Sequence, residues 1–205
     1  KDSHKILEYV SFDDSKNFKG IDNLKHLLLA TKENREISFL HENYNKKTKE
    51  VHTITPLILK EYLNRWYIVG VTKEKDEIRT YGIDRLSNIE ILNPSNINRA
   101  AYKEKLQKFE HTVGLTYGEG QPEKVCLLIN ELHVKYLKSL PLHSSQVVFP
   151  KNEDNKHRVE YYLYPNYEFI TQILKIGIEA EVVAPPHLRT EVKNILKRTL
   201  QNYDS

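Results

Sequence analysis

Arg65-Trp66-Tyr67-Ile68-Val69-Gly70-Val71-Thr72, the turn Lys73-Glu74-Lys75-Asp76, and then Glu77-Ile78-Arg79-Thr80-Tyr81-Gly82-Ile83-Asp84-Arg85-Leu86 decide the fold of the first half of this chain. β-Branched and aromatic side chains dominate both sides of the charged turn, and such residues suit a pleated, half-buried surface. Two strands follow, Arg65 to Thr72 and Glu77 to Ile83, with Leu86 to Leu92 as the next. Upstream, Arg35 to Tyr44 and Val51 to Tyr62 read as two more, separated by the polar turn Asn45 to Glu50. Pro56 cannot donate to a ladder, so it is expected at a sheet edge or a bulge. Ahead of them Ile21, Leu24, Leu27, Leu28 and Thr31 fall at helical spacing, with Gly20 just upstream. One helix and five short strands predict a small curled sheet or barrel. Ile6 to Phe18 alternates weakly and is expected to be a further strand.

The rhythm changes after Asn93-Pro94-Ser95-Asn96. Ala101, Tyr102, Lys105, Leu106 and Phe109 predict a short helix, and Gly114 to Pro122 a loop. Then come a strand (Lys124 to Ile129), a helix (Leu132, Tyr136, Leu137, Leu140) and two strands (Gln146 to Phe149, His157 to Leu163). A helix through Phe169, Ile170, Ile173 and Leu174 ends at Gly177, and Glu179 to Val183 is a strand. That order is β-α-β-β-α-β, the ferredoxin-like arrangement. A last helix follows Pro185-Pro186. The expected fold class is α+β. Its parts are a lead-in over 1–20, a barrel unit over 21–93, a connecting helix and linker over 94–122, and a ferredoxin-like unit with a final helix over 123–205.

Among the 205 residues 39% are hydrophobic and 29% charged, which suits a globular chain and is too apolar for disorder. The one cysteine, Cys126, rules out an intramolecular disulfide and a Cys-rich zinc site, and points to a reducing, cytoplasmic setting. No apolar run approaches the ~20 residues of a membrane span, and Lys1-Asp2-Ser3-His4 is not a signal peptide. The chain has no methionine, and is therefore read as a piece of a longer protein. A net charge of +3, from 31 basic and 28 acidic residues, says little about partners. Any anion site must be local.

Nine histidines are scattered, with no His-x-x-x-His pair and no HExxH, so neither a metal nor a cofactor is expected. Ser144-Ser145 beside His143 is the nearest approach to a nucleophile, but it lacks a G-x-S-x-G elbow. Cys126 sits inside an apolar strand and reads as a buried, inert thiol. Gly118-Glu119-Gly120 lacks the rest of any phosphate-binding fingerprint. An enzyme is not expected. Arg79, Tyr81 and Ile83 share strand parity, and Arg79 and Arg85 are expected to converge where the fourth strand turns into the fifth. Two guanidiniums flanked by Tyr67 and Tyr81 suit a planar anion, with forked donors for phosphate and rings for stacking. The plainer reading is that Asp84 pairs with one of the arginines at the surface. His52 is added to the site from geometry.

Thr55-Pro56-Leu57-Ile58-Leu59, Arg65-Trp66-Tyr67-Ile68-Val69-Gly70 and Ile78-Arg79-Thr80-Tyr81-Gly82-Ile83-Asp84-Arg85-Leu86 closely resemble the WYL domain. Its Pro, Trp-Tyr-Leu and Asp-Arg-Ile signatures stand in order as Pro56, Trp66-Tyr67-Ile68 and Asp84-Arg85-Leu86, with Ile68 and Leu86 as conservative departures. Leu140-Pro141-Leu142-His143-Ser144-Ser145-Gln146 and Ile176 to Val182 look like the extension that often follows this domain. The resemblance implies an Sm-like, SH3-type barrel and a ferredoxin-like extension. It also implies a homodimeric bacterial transcriptional regulator whose helix-turn-helix, absent here, contacts DNA. The WYL module would sense a nucleotide-like or nucleic-acid effector, and Tyr67, Arg79 and Arg85 match the family's basic pocket. Trp66, opposite in parity to Tyr67, is expected in the core. Two rival readings are a module that binds single-stranded nucleic acid directly and a dimerisation scaffold without a ligand.

Overall fold

The computed structural model describes residues 20–44, 47–116 and 120–204. The strand expected over Ile6 to Phe18 lies outside them, as do parts of the turn at Asn45 and of the loop at Gly118-Glu119. Among the described residues the architecture is mixed α/β with two antiparallel sheets and five α-helices. The chain divides into two compact units, one ending at Arg99 and the other beginning at Ala100. No helix among the described residues is long and apolar enough to cross a membrane.

In the first unit a 3-10 turn over Ile21–Asn23 leads into α1 (Leu24–Lys32). The strands are β1 (Arg35–Asn43), β2 (Thr48–Tyr62), β3 (Arg65–Thr72), β4 (Ile78–Gly82) and β5 (Leu86–Pro94). They pair in the order β4-β3-β2-β1-β5. The expected barrel is, in hydrogen bonds, an open sheet with β4 and β5 at its two edges. The chain passes between those edges through a 3-10 turn, Ile83–Arg85, rather than a hairpin, so the two strands do not share a ladder. Pro56 lies in a central strand and is accommodated by a bulge: Pro56 faces Gly70, and the next pair is Ile58 with Val69. Of the two places expected for it, the bulge is the one used.

α1 covers the sheet with Leu27 and Ala30, both without exposed surface, and leaves Leu28 and Leu29 outside. They join Ile37, Phe39, Ile54, Ile68, Tyr81, Ile83 and Leu86 in one cluster. Trp66, expected as a core residue, is only half-buried and packs on the rim of that cluster. The parity was right, but the indole stands near the end of β3, where the sheet no longer covers it. Gly20 has φ +84°, and a Cβ there would lie 2.5 Å from the Ile83 carbonyl oxygen. Glycine thus lets the entry to α1 close down on the turn that carries Asp84 and Arg85.

Past Arg99 come the short α2 (Lys103–Gln107), flanked by 3-10 turns, then β6 (Glu123–Asn130), α3 (Glu131–Ser139), β7 (Val147–Lys151) and β8 (Lys156–Leu163). α4 (Tyr167–Ile176), β9 (Ala180–Ala184) and α5 (Pro186–Gln201) complete the chain. The strand order is β7-β8-β6-β9, with every neighbour antiparallel. Val125, Leu127 and Ile129 alternate along β6 with no exposed surface, the period-two pattern of a one-sided core. Phe169 of α4 meets Tyr161 edge to face at 5.3 Å. The Asn166 side chain caps α4 by accepting from the Phe169 N–H at 2.9 Å. Cys126 points to the opposite face, half-buried rather than enclosed, with its thiol pushed up mainly by burial and then by Glu160.

Candidate functional site

The first unit gathers four rings over one end of its core. Tyr81 of β4 is 4% exposed, although it shares parity with the exposed Arg79. Its ring lies 5.0 Å from Phe39, 5.1 Å from His41 and 5.2 Å from His52. The β1–β2 register explains the grouping: Phe39 faces His52 across the ladder, and His41 stands two residues further along β1. The two imidazole centroids are 5.8 Å apart. Two polar atoms are buried here without a hydrogen-bond partner among the described residues, the Tyr81 hydroxyl and His41 Nε2. Unmade hydrogen bonds of this kind cost about 1–3 kcal/mol each, so two at one place are notable.

Arg85 borders this cluster. Its guanidinium lies 5.6 Å from the centre of the Tyr44 ring, and among the described residues it has no carboxylate partner. Gly82 makes room for it, since a Cβ there would come 2.6 Å from Asp84 Oδ1 and 3.1 Å from two Arg85 nitrogens. Asp84 pairs instead with Arg65 at 3.9 Å. Arg79 is held by Glu77 at 3.0 Å. The two arginines expected to converge therefore have separate neighbours, because the chain leaves the strand at Gly82 and turns before Arg85. Tyr67 belongs with Arg85 rather than with Tyr81. Burial raises its hydroxyl pKa, with Arg65, Asp84 and Arg85 as the surrounding charges.

His41 is the residue that strand parity alone did not single out. Burial lowers its pKa first, then Arg85 and His52, with Glu50 and Asp84 opposing. Its folded value lies below the ordinary 6.5, so as pH falls the unfolded chain takes up the proton first. The first unit should keep this contribution above pH 6.5 and lose it on acidification below that value. Urea unfolding at about pH 7.5 and about pH 5.5 should show a smaller pH dependence for His41→Asn than for the unsubstituted chain.

Elsewhere, His143 Nδ1 meets Ser145 Oγ at 2.8 Å, a contact the sequence reading did not anticipate. The pair sits in a turn, where residues two apart can meet. Its groups are tied to backbone: His143 Nε2 lies 2.9 Å from the Glu110 carbonyl, and Ser145 Oγ accepts from the Tyr162 N–H at 2.9 Å. Among the described residues no group of three His, Cys, Asp or Glu side chains is placed to hold a metal ion.

The WYL domain family matches residues 22–91, and the WCX domain family matches residues 121–200. No curated protein matches the chain. Among solved structures, a CRISPR Cas-related protein is similar with a TM-score of 0.54 and 14% identity, over 90% of this chain and 52% of that one. Proteasome accessory factor B/C (PafBC) of Arthrobacter aurescens is similar with a TM-score of 0.36 and 16% identity, over 86% of this chain and 26% of that one. The chain thus spans about half of the first and a quarter of the second. The likeness to the CRISPR Cas-related protein is one of fold.

Proposed function

From a chain that carries a WYL domain followed by a WCX domain, we infer an effector-sensing module of a transcriptional regulator. The effector in this reading is an anion with a planar group, nucleotide-like or single-stranded nucleic acid. The observation that carries it is the Arg85 guanidinium, without a carboxylate partner among the described residues, beside two buried polar atoms that likewise lack partners there. A phosphate would satisfy the arginine, and the Tyr44, Tyr67 and His52 rings would flank a base. Arg85, Tyr67, His52 and Tyr81 remain in the proposed site, His41 joins it, and Arg79 moves to its margin because Glu77 already neutralises it.

The same reading takes the first unit as Sm-like and the second as ferredoxin-like. The strand orders β4-β3-β2-β1-β5 and β7-β8-β6-β9 support it. It takes the module as non-enzymatic, cytoplasmic and homodimeric, with operator contacts made by a DNA-binding domain of the whole regulator. Effector binding would act by favouring one arrangement of the dimer over another, which requires different affinities for the two.

Tyr81→Phe tests the site with two readouts of opposite sign. Removing an unsatisfied buried hydroxyl should raise stability by about 1 kcal/mol, because the desolvation cost disappears. Affinity for a short 5′-phosphorylated oligothymidylate should fall at the same time, measured by calorimetric titration. A destabilised variant with unchanged affinity would assign Tyr81 to packing alone.

A further inference from the structure

The second unit has a groove that its own core does not fill. A cavity of about 430 Å³ runs between β9, an edge strand, and α5. Along α5 one apolar stripe continues at four-residue spacing. Leu188 and Val192 are 0% and 8% exposed, while Leu196 and Leu200 are 53% and 60% exposed. The first half of the stripe is covered and the second half is open, although the sequence makes no distinction between them. A helix stripe that is uninterrupted in sequence but half uncovered calls for a further partner.

Charge says what kind. Arg189, Lys193 and Lys197 follow one another at the same four-residue spacing along one flank of the groove. The one carboxylate lining it, Glu181, is already paired with Arg189 at 2.8 Å and Lys156 at 3.7 Å. Lys193 and Lys197 have no ion-pair partner among the described residues. A second copy with its helix antiparallel is a poor occupant, since a two-fold axis across the helices sets the same flank of both together, lysine against lysine. An added strand is disfavoured too, because the Val182 carbonyl already accepts from Arg189. The part of α5 that lines the groove, Arg189 to Leu200, is about 16 Å long, enough for a helix of about three turns laid alongside.

We propose that the groove between β9 and α5 docks a short amphipathic helix of a partner protein, apolar towards Leu196 and Leu200 and carboxylate-bearing towards Lys193 and Lys197. This rests on the second unit alone, independently of the effector site.

The probe is a fluorescein-labelled peptide of about 14 residues, leucine at i, i+3, i+4 and i+7 and glutamate elsewhere, with a counterpart carrying lysine for glutamate. Anisotropy titrations of the full chain should show the glutamate peptide binding at least about tenfold tighter than the lysine one. Leu196→Asp, and separately Lys193→Glu with Lys197→Glu, should each weaken the glutamate peptide about tenfold or more. Melting curves should be unchanged, because all three side chains are exposed. Equal affinity for the two peptides, indifference to the substitutions, or no binding at millimolar peptide would overturn the proposal. A dimer that Leu196→Asp converts to monomer would give the groove to a second copy instead.

Discussion

Phe39→Ala is expected to cost the first unit about 3–5 kcal/mol, the usual price of emptying a buried aromatic site. The side chain is 1% exposed and sits mid-strand in β1, between the α1 face and the ring cluster. Its ring meets Tyr81 at 5.0 Å and His52 at 6.1 Å, so its loss removes the wall against which both are set. A domain of this size has only about 5–15 kcal/mol in hand, which makes the loss a large fraction of the total. Urea unfolding should register it as a lower midpoint, and the same variant should lose effector affinity because the cluster loosens. Val51→Ala is the control. Val51 is 69% exposed and should move stability by less than about 0.5 kcal/mol.

The second large effect separates two arginines that look equivalent in sequence. Arg85 lies over Tyr44 with no carboxylate partner among the described residues, whereas Arg79 is held by Glu77. Hydrogen bonds to a charged group contribute about 1.5–3 kcal/mol, so Arg85→Ala should weaken binding of a 5′-phosphorylated oligonucleotide roughly ten- to a hundredfold. Arg79→Ala should change it by less than about threefold, since an exposed pair is worth about 0–1 kcal/mol. Neither substitution should move the unfolding midpoint appreciably. Equal losses for both would mean that Glu77 gives up Arg79 when the ligand arrives.

Much of the architecture was legible because each unit obeys a simple periodicity. The apolar alternation of Val125, Leu127 and Ile129 and the close of α4 at Gly177 each carry their structural meaning locally. What sequence reading placed less well depends on where strands end. Trp66 has core parity yet stands at the rim, because parity gives the face of a sheet and not its extent. Arg79 and Tyr81 share a face in the strand pattern, but one is at the surface and the other in the core. The difference comes from β1 and β2, which bring Phe39, His41 and His52 over Tyr81 and leave Arg79 beyond them. His41 was missed for the same reason. Its chemistry comes from cross-strand neighbours, and the β1–β2 register that sets them was not worked out from the sequence. Cross-strand pairing of Phe39 with His52 is the signal that would have found it, had the hairpin register been fixed first.

We propose the ring cluster beside Arg85 as the place where an anionic effector lands. The most direct measurement is the imidazole region of the nuclear magnetic resonance spectrum during titration with a short 5′-phosphorylated oligothymidylate. Saturable shifts of the His41 and His52 resonances, absent in Arg85→Ala and retained in Arg79→Ala, are the predicted result. Shifts confined to histidines of the second unit, or shifts at His41 that persist without Arg85, would contradict it.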